Sequence, residues 1–139
     1  MITVNPYLTF NGNCLEAFDH YKKVFGGDFI ANQKFKDEPG SNHPASEAGK
    51  IMHISLQLSP GYMLMGSDTA ASMEPVKQSD NISLSINTTS RKEADDVFEG
   101  LSQGGKVTMP LENTFWGSYF GMLIDKFGIH WLVSFAESR

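Results

Sequence analysis

The chain has 139 residues, net charge -5, 40% hydrophobic and 19% charged residues, and a single cysteine. One domain of this length buries roughly two thirds of its unfolded surface and folds without staples. The basic residues gather only in pairs such as Lys22-Lys23 and Arg91-Lys92, too sparse for the basic footprint of a nucleic-acid partner, and no apolar run has the length of a membrane span.

In chain order, MITVNPYLTF lacks the basic, apolar and small-residue succession of a signal peptide. With the lone Cys14, which has no internal disulfide partner, this predicts a cytoplasmic protein. Residues 5–10, NPYLTF, predict a strand. NGNCLEAFDHYKKVFGG follows, with a capping-box-like start at Asn13 and Glu16, an apolar stripe at Cys14, Phe18, Tyr21 and Phe25, and a stop at Gly26-Gly27. DFIANQKF predicts a second strand. The polar loop from Asp37 to Gly49 comes next, either a flap or a plain excursion. KIMHISLQL and YMLMGS then pair across Ser59-Pro60-Gly61.

Residues 69–80 link this half to a second that repeats it. NISLSINT is a strand like NPYLTF. Ser90 and Glu93 form a capping box, Ala94, Val97, Phe98 and Leu101 a stripe, and Gly104-Gly105 a stop. Asn5 to Asn81 is 76 residues, Tyr21 to Phe98 is 77 and Gly27 to Gly105 is 78. An internal duplication accounts for all three. KVTMP is then a short strand, LENTFWG a loop, and SYFGMLI and IHWLVSF a hairpin across Asp125-Lys126-Phe127-Gly128. The fold class is therefore α+β, with two βαβββ modules, 1–68 and 81–139, in a single domain.

One helix per module covers one side of a sheet. Leu8, Phe10, Met52, Ile54, Leu56, Leu58, Leu64, Ile82, Leu84, Ile86, Trp131, Val133 and Phe135 are expected on the helix side. Alternation puts Asn5, Tyr7, Thr9, His53, Ser55, Gln57, Met63, Met65, Asn81, Ser83, Ser85, His130, Leu132 and Ser134 on the other side. This second set mixes hydroxyls, amides, thioethers and rings, as a ligand surface does. Its expected ligand-binding members are Tyr7, Thr9, His53, Ser55, Met63, Met65, Ser83, Ser85, His130 and Leu132, joined by Trp116 and Tyr119 of FWGSY, which serve either a ligand or a subunit interface. His53 and His130 are the candidates for acid–base or ligand chemistry, with Glu47 or Asp68 as conceivable companions in a cation site.

YLTFNGNCLEAFDHYKKVFGG, KIMHISLQL, LMGSD and GGKVTMPLENTFWGSYFGMLIDKFGIHWLV together resemble the PhnB-like branch of the glyoxalase/bleomycin-resistance/dioxygenase (vicinal oxygen chelate) superfamily. The resemblance implies paired modules forming a U-shaped half-barrel cleft, commonly in homodimers, where enzymes of the superfamily hold a divalent metal. The metal-ligand places it implies fall at or near Asn5, Met65, Asn81 and Leu132, none a strong ligand for a hard or borderline cation. A metal-free binding protein for a small organic molecule is the first expectation, with no cofactor. The alternative is a metal-dependent lyase, isomerase or dioxygenase of the superfamily that uses His53 or His130. Members of the branch often carry a 3-demethylubiquinone methyltransferase label, but the double glycines here follow helices rather than opening one as a nucleotide site would.

Overall fold

The computed structural model describes residues 1–40 and 42–136. Two compact units divide the chain, Met1–Lys77 and Gln78–Arg139. Residues 69–77, expected in the linker, join the first unit: Asn11 donates from Nδ2 to the Val76 carbonyl at 3.0 Å and accepts from the Val76 amide at 2.9 Å.

In the first unit, β1 (Tyr7–Phe10), α1 (Cys14–Phe25), β2 (Asp28–Lys34), a 3-10 turn (Phe35–Asp37), a short α2 (Ala45–Ala48), β3 (Ile51–Ser59) and β4 (Tyr62–Asp68) build a four-stranded sheet of order β1-β4-β3-β2. The second unit repeats the plan. β5 (Leu84–Asn87), α3 (Arg91–Ser102), β6 (Lys106–Asn113), β7 (Ser118–Ile124) and β8 (His130–Ala136) give the order β5-β8-β7-β6. In both, the first strand pairs parallel with the last and the other pairs are antiparallel. The duplicated βαβββ plan is thus observed, with two helices of 12 residues each.

Alternation sets which residues meet the helices. Leu8, Phe10, Ile54, Leu56 and Leu64 are buried with Cys14, Ala17, Phe18 and Tyr21 of α1; Trp131 and Val133 are buried with Ala94, Val97, Phe98 and Leu101 of α3. Ile51, not expected in this set, is fully buried while Met52 is half-buried. A register shift between Gln33 and Lys34 breaks the alternation there. Ile82 is 70% exposed because β5 begins two residues after it. The short strand expected at KVTMP instead runs through Pro110 to Asn113. β6 is the sheet's edge, where a proline forfeits no ladder bond that the sheet needs.

The repeated double glycine has a geometric reason in both modules. Gly26 and Gly104 take φ of 75° and 74°, which reverses the chain after each helix. At the second glycine of each pair, a Cβ would sit 2.2 Å from the Gln57 carbonyl oxygen at Gly27 and 2.3 Å from that of Ile124 at Gly105. The helix therefore returns to its sheet by backbone-to-backbone approach.

Candidate functional site

The helix starts show where side chains are structural. Ser90 caps α3, accepting from the Glu93 amide at 3.0 Å, and Glu93 reaches back to the Thr89 amide at 2.9 Å. Asn13, expected to cap α1, makes no such bond. Asp68, at the end of β4, does that work from a distance: its Oδ1 accepts from the Gly12 and Cys14 amides at 2.9 and 3.0 Å, and its Oδ2 from the Ile51 amide at 2.9 Å. Asp68 is thereby committed to backbone donors, and Glu47 to Lys50 at 2.6 Å. Among the described residues, neither belongs to a group of three or more metal-ligating side chains.

On the side of the first sheet away from α1, pairing aligns Tyr7 with Met65, Met65 with Ser55, and Ser55 with Ala31. One step along lie Thr9 beside Ser67 and His53 beside Gln33, and Met63 faces Gln57. The rings of Tyr7 and His53 stack with centroids 5.7 Å apart and planes 28° from parallel. Tyr7 Oη lies 3.3 Å from His53 Nδ1, and His53 Nε2 lies 2.8 Å from Ser55 Oγ. Tyr7 is 47% exposed whereas Ser55 is buried. Six expected residues, Tyr7, Thr9, His53, Ser55, Met63 and Met65, therefore share one open face, and three form a connected polar line.

The second sheet's open face is more apolar. Ser85, Leu132, Met122 and Met109 align across four strands, as do Asn87, Ser134, Phe120 and Glu112. Ser134 donates to Asn87 Oδ1 at 2.8 Å. His130 pairs with Ile124 and is half-buried. Ser83 precedes β5 and is exposed. Trp116, 54% exposed, meets the edge of Phe120 with centroids 5.9 Å apart.

Tyr119 departs from expectation. It shares the side of Gly121 and Leu123 that packs on α3, where it donates to Asp95 Oδ1 at 2.6 Å beneath the Arg91 guanidinium, 4.3 Å from the ring centroid. The Asp95 hydrogen bond, then partial burial, holds its phenol above the ordinary value. Phe120, Met122 and Met109 went unforeseen on the open face. In SYFGMLI both alternating sets are apolar, so periodicity alone cannot choose the face. Gly121 supplied the missing signal, since a Cβ there would come within 2.8 Å of Phe98 on α3.

Three of the four places that the resemblance implies for metal ligands do not suit a hard or borderline cation. Met65 offers a soft thioether, Leu132 has no donor, and Asn81 Oδ1 already accepts from Ser79 at 2.6 Å. Among the described residues, no three His, Cys, Asp or Glu side chains gather as a metal site. No helix among them is long and apolar enough to cross a membrane.

The family model described as 3-demethylubiquinone-9 3-methyltransferase matches residues 2–134. Protein PA1353 from Pseudomonas aeruginosa is similar at 40% identity over 99% of this chain and 100% of its own, with a TM-score of 0.88. A putative 3-demethylubiquinone-9 3-methyltransferase, PhnB protein, from Bacillus cereus is 24% identical over 97% of this chain and 100% of its own, TM-score 0.77. A glyoxylase/bleomycin resistance protein/dioxygenase domain from Frankia sp. EAN1pec shares the fold at 11% identity, TM-score 0.68, over 99% of this chain and 98% of its own.

Proposed function

For a chain that belongs to the PhnB-like branch of the glyoxalase/bleomycin-resistance superfamily, we propose a binding function: it takes up a small organic molecule on the open sheet face bearing Tyr7, His53 and Ser55, without the metal ligands of its enzymatic relatives. The observation that carries this reading is the polar line Tyr7–His53–Ser55 set beside two thioethers, Met63 and Met65. An apolar surface with a few fixed polar groups is what a small ligand needs for affinity and orientation. Methionines adapt to its outline.

A methyltransferase activity finds no support in the glycines. Gly26-Gly27 and Gly104-Gly105 close helices and approach strand carbonyls, and among the described residues no glycine-rich turn opens a helix. The enzyme reading rests on His53, whose contact with Ser55 is short enough for proton transfer. Both its ring nitrogens already meet protein partners, so coordination would cost one of those bonds. His130 meets no hydrogen-bonding side chain among the described residues. The protein is further proposed to act as a homodimer in the cytoplasm.

Native mass spectrometry of protein purified without added metal, run beside elemental analysis, tests the proposal. Binding of a small organic molecule with no stoichiometric divalent ion is expected. One tightly held ion per chain would overturn it, and turnover lost in His53→Gln would favour the enzyme.

A further inference from the structure

Ser55 is 4% exposed, and among the described residues its hydroxyl has one hydrogen-bonding neighbour, His53 Nε2 at 2.8 Å. A hydroxyl carries one hydrogen and two lone pairs, and a neutral imidazole has one nitrogen that donates and one that accepts. If Nε2 carried the proton, the Ser55 hydrogen would be buried with no acceptor, and an unmet buried donor suffers its full desolvation penalty. The other arrangement satisfies every buried group. Ser55 Oγ donates to Nε2, the ring proton sits on Nδ1, and Nδ1–H donates to Tyr7 Oη, 3.3 Å away. The hydrogen of Tyr7 then has no use inside the protein, and the residue is 47% exposed.

We propose that Ser55, His53 and Tyr7 form a hydrogen-bond chain of fixed direction that ends on the Tyr7 hydroxyl as an outward donor, so that the ligand must present an acceptor oxygen such as a carbonyl. This rests on the open face being the ligand surface, as proposed above. Successive bonds in one direction polarise one another, which makes the terminal phenol a better donor than an isolated tyrosine. The stacked rings and the Met65 thioether, next to both Tyr7 and Ser55 in register, favour a flat apolar body behind that oxygen. Tyr7 is then the residue that selects for the oxygen, and Ser55 a positioning residue that acts through the imidazole.

The test has two arms on the full chain. Long-range proton–nitrogen NMR correlations, with the His53 signals assigned by their loss in His53→Gln, read the tautomer without any ligand. Nδ1–H is expected, with a shift towards Nε2–H in Ser55→Ala; Nε2–H in the native protein, or a tautomer indifferent to Ser55→Ala, overturns the chain. Titration with 2-acetylnaphthalene and 2-ethylnaphthalene compares the same flat body with and without the acceptor. The ketone is expected to bind about tenfold more tightly, one hydrogen bond's worth, with the advantage abolished in Tyr7→Phe. Equal affinities overturn the selection by Tyr7, whereas failure of both probes alongside the expected tautomer overturns the ligand surface itself.

Discussion

Trp131 donates from its indole nitrogen to Asp125 Oδ2 at 2.8 Å, and both side chains are buried. The other carboxylate oxygen accepts from the Phe127 and Ile129 amides at 2.8 and 3.0 Å. One side chain thus closes the β7–β8 turn and anchors the largest core residue. Asp125→Ala strands three donors, and urea unfolding is expected to show a loss of about 3 to 5 kcal/mol. Asp125→Asn keeps an acceptor oxygen and should lose less.

The start of α1 depends on Asp68 rather than on Asn13. Asn13→Ala is expected within about 0.5 kcal/mol of the native protein. Asp68→Ala should cost at least about 2 kcal/mol, because the Gly12, Cys14 and Ile51 amides lose their acceptor. The ordering of the two variants in thermal melts checks the claim. Ser90→Ala, which removes a local cap from α3, should fall between them at about 1 kcal/mol.

Burial, with the charge of Asp68 behind it, pushes the Cys14 thiol up from its ordinary 9.0. The native state therefore holds this proton more tightly than the unfolded chain does. Its contribution is complete below pH 9 and is lost as pH rises above it, with a slope of at most about 1.4 kcal/mol per pH unit. Stability measured from pH 8 to 10.5 should fall less steeply in Cys14→Ala. Iodoacetamide should not label the native thiol, which is fully buried.

Gly66 and Gly121 let each sheet come close to its helix. A Cβ at Gly66 would meet the Leu8 carbonyl oxygen at 2.6 Å and the Phe18 ring at 2.8 Å; at Gly121 it would meet Phe98 at 2.8 Å and the Leu111 backbone at 2.9 Å. Either alanine variant is expected to lose about 1 to 3 kcal/mol through overpacking. Gly121→Ala combined with Phe98→Leu should recover part of the loss if the ring is the obstacle. No recovery would assign the clash to the Leu111 backbone.

The duplication was legible because its markers are local. Strand alternation, the Ser90 cap, the helical stripes and the double glycines each act within a few residues, so the sequence shows them directly. Asp68 was not legible as the cap of α1, because its partners at Gly12 and Cys14 lie 56 and 54 residues away. Pairing register was likewise hidden where alternation fails. Tyr119 was expected on the open face and packs on α3, since SYFGMLI is apolar at both parities. In the first module, by contrast, KIMHISLQL alternates cleanly past its first residues, and His53 and Ser55 lie on the face that alternation assigns them.

The most direct test of metal-free binding on the Tyr7–His53–Ser55 face is a methyl NMR titration of selectively labelled methionines with 2-acetylnaphthalene in excess EDTA. The account predicts saturable shifts of the Met63 and Met65 methyls, unchanged by the chelator. Shifts that appear only after a divalent metal is restored, or that bypass both residues, would contradict it.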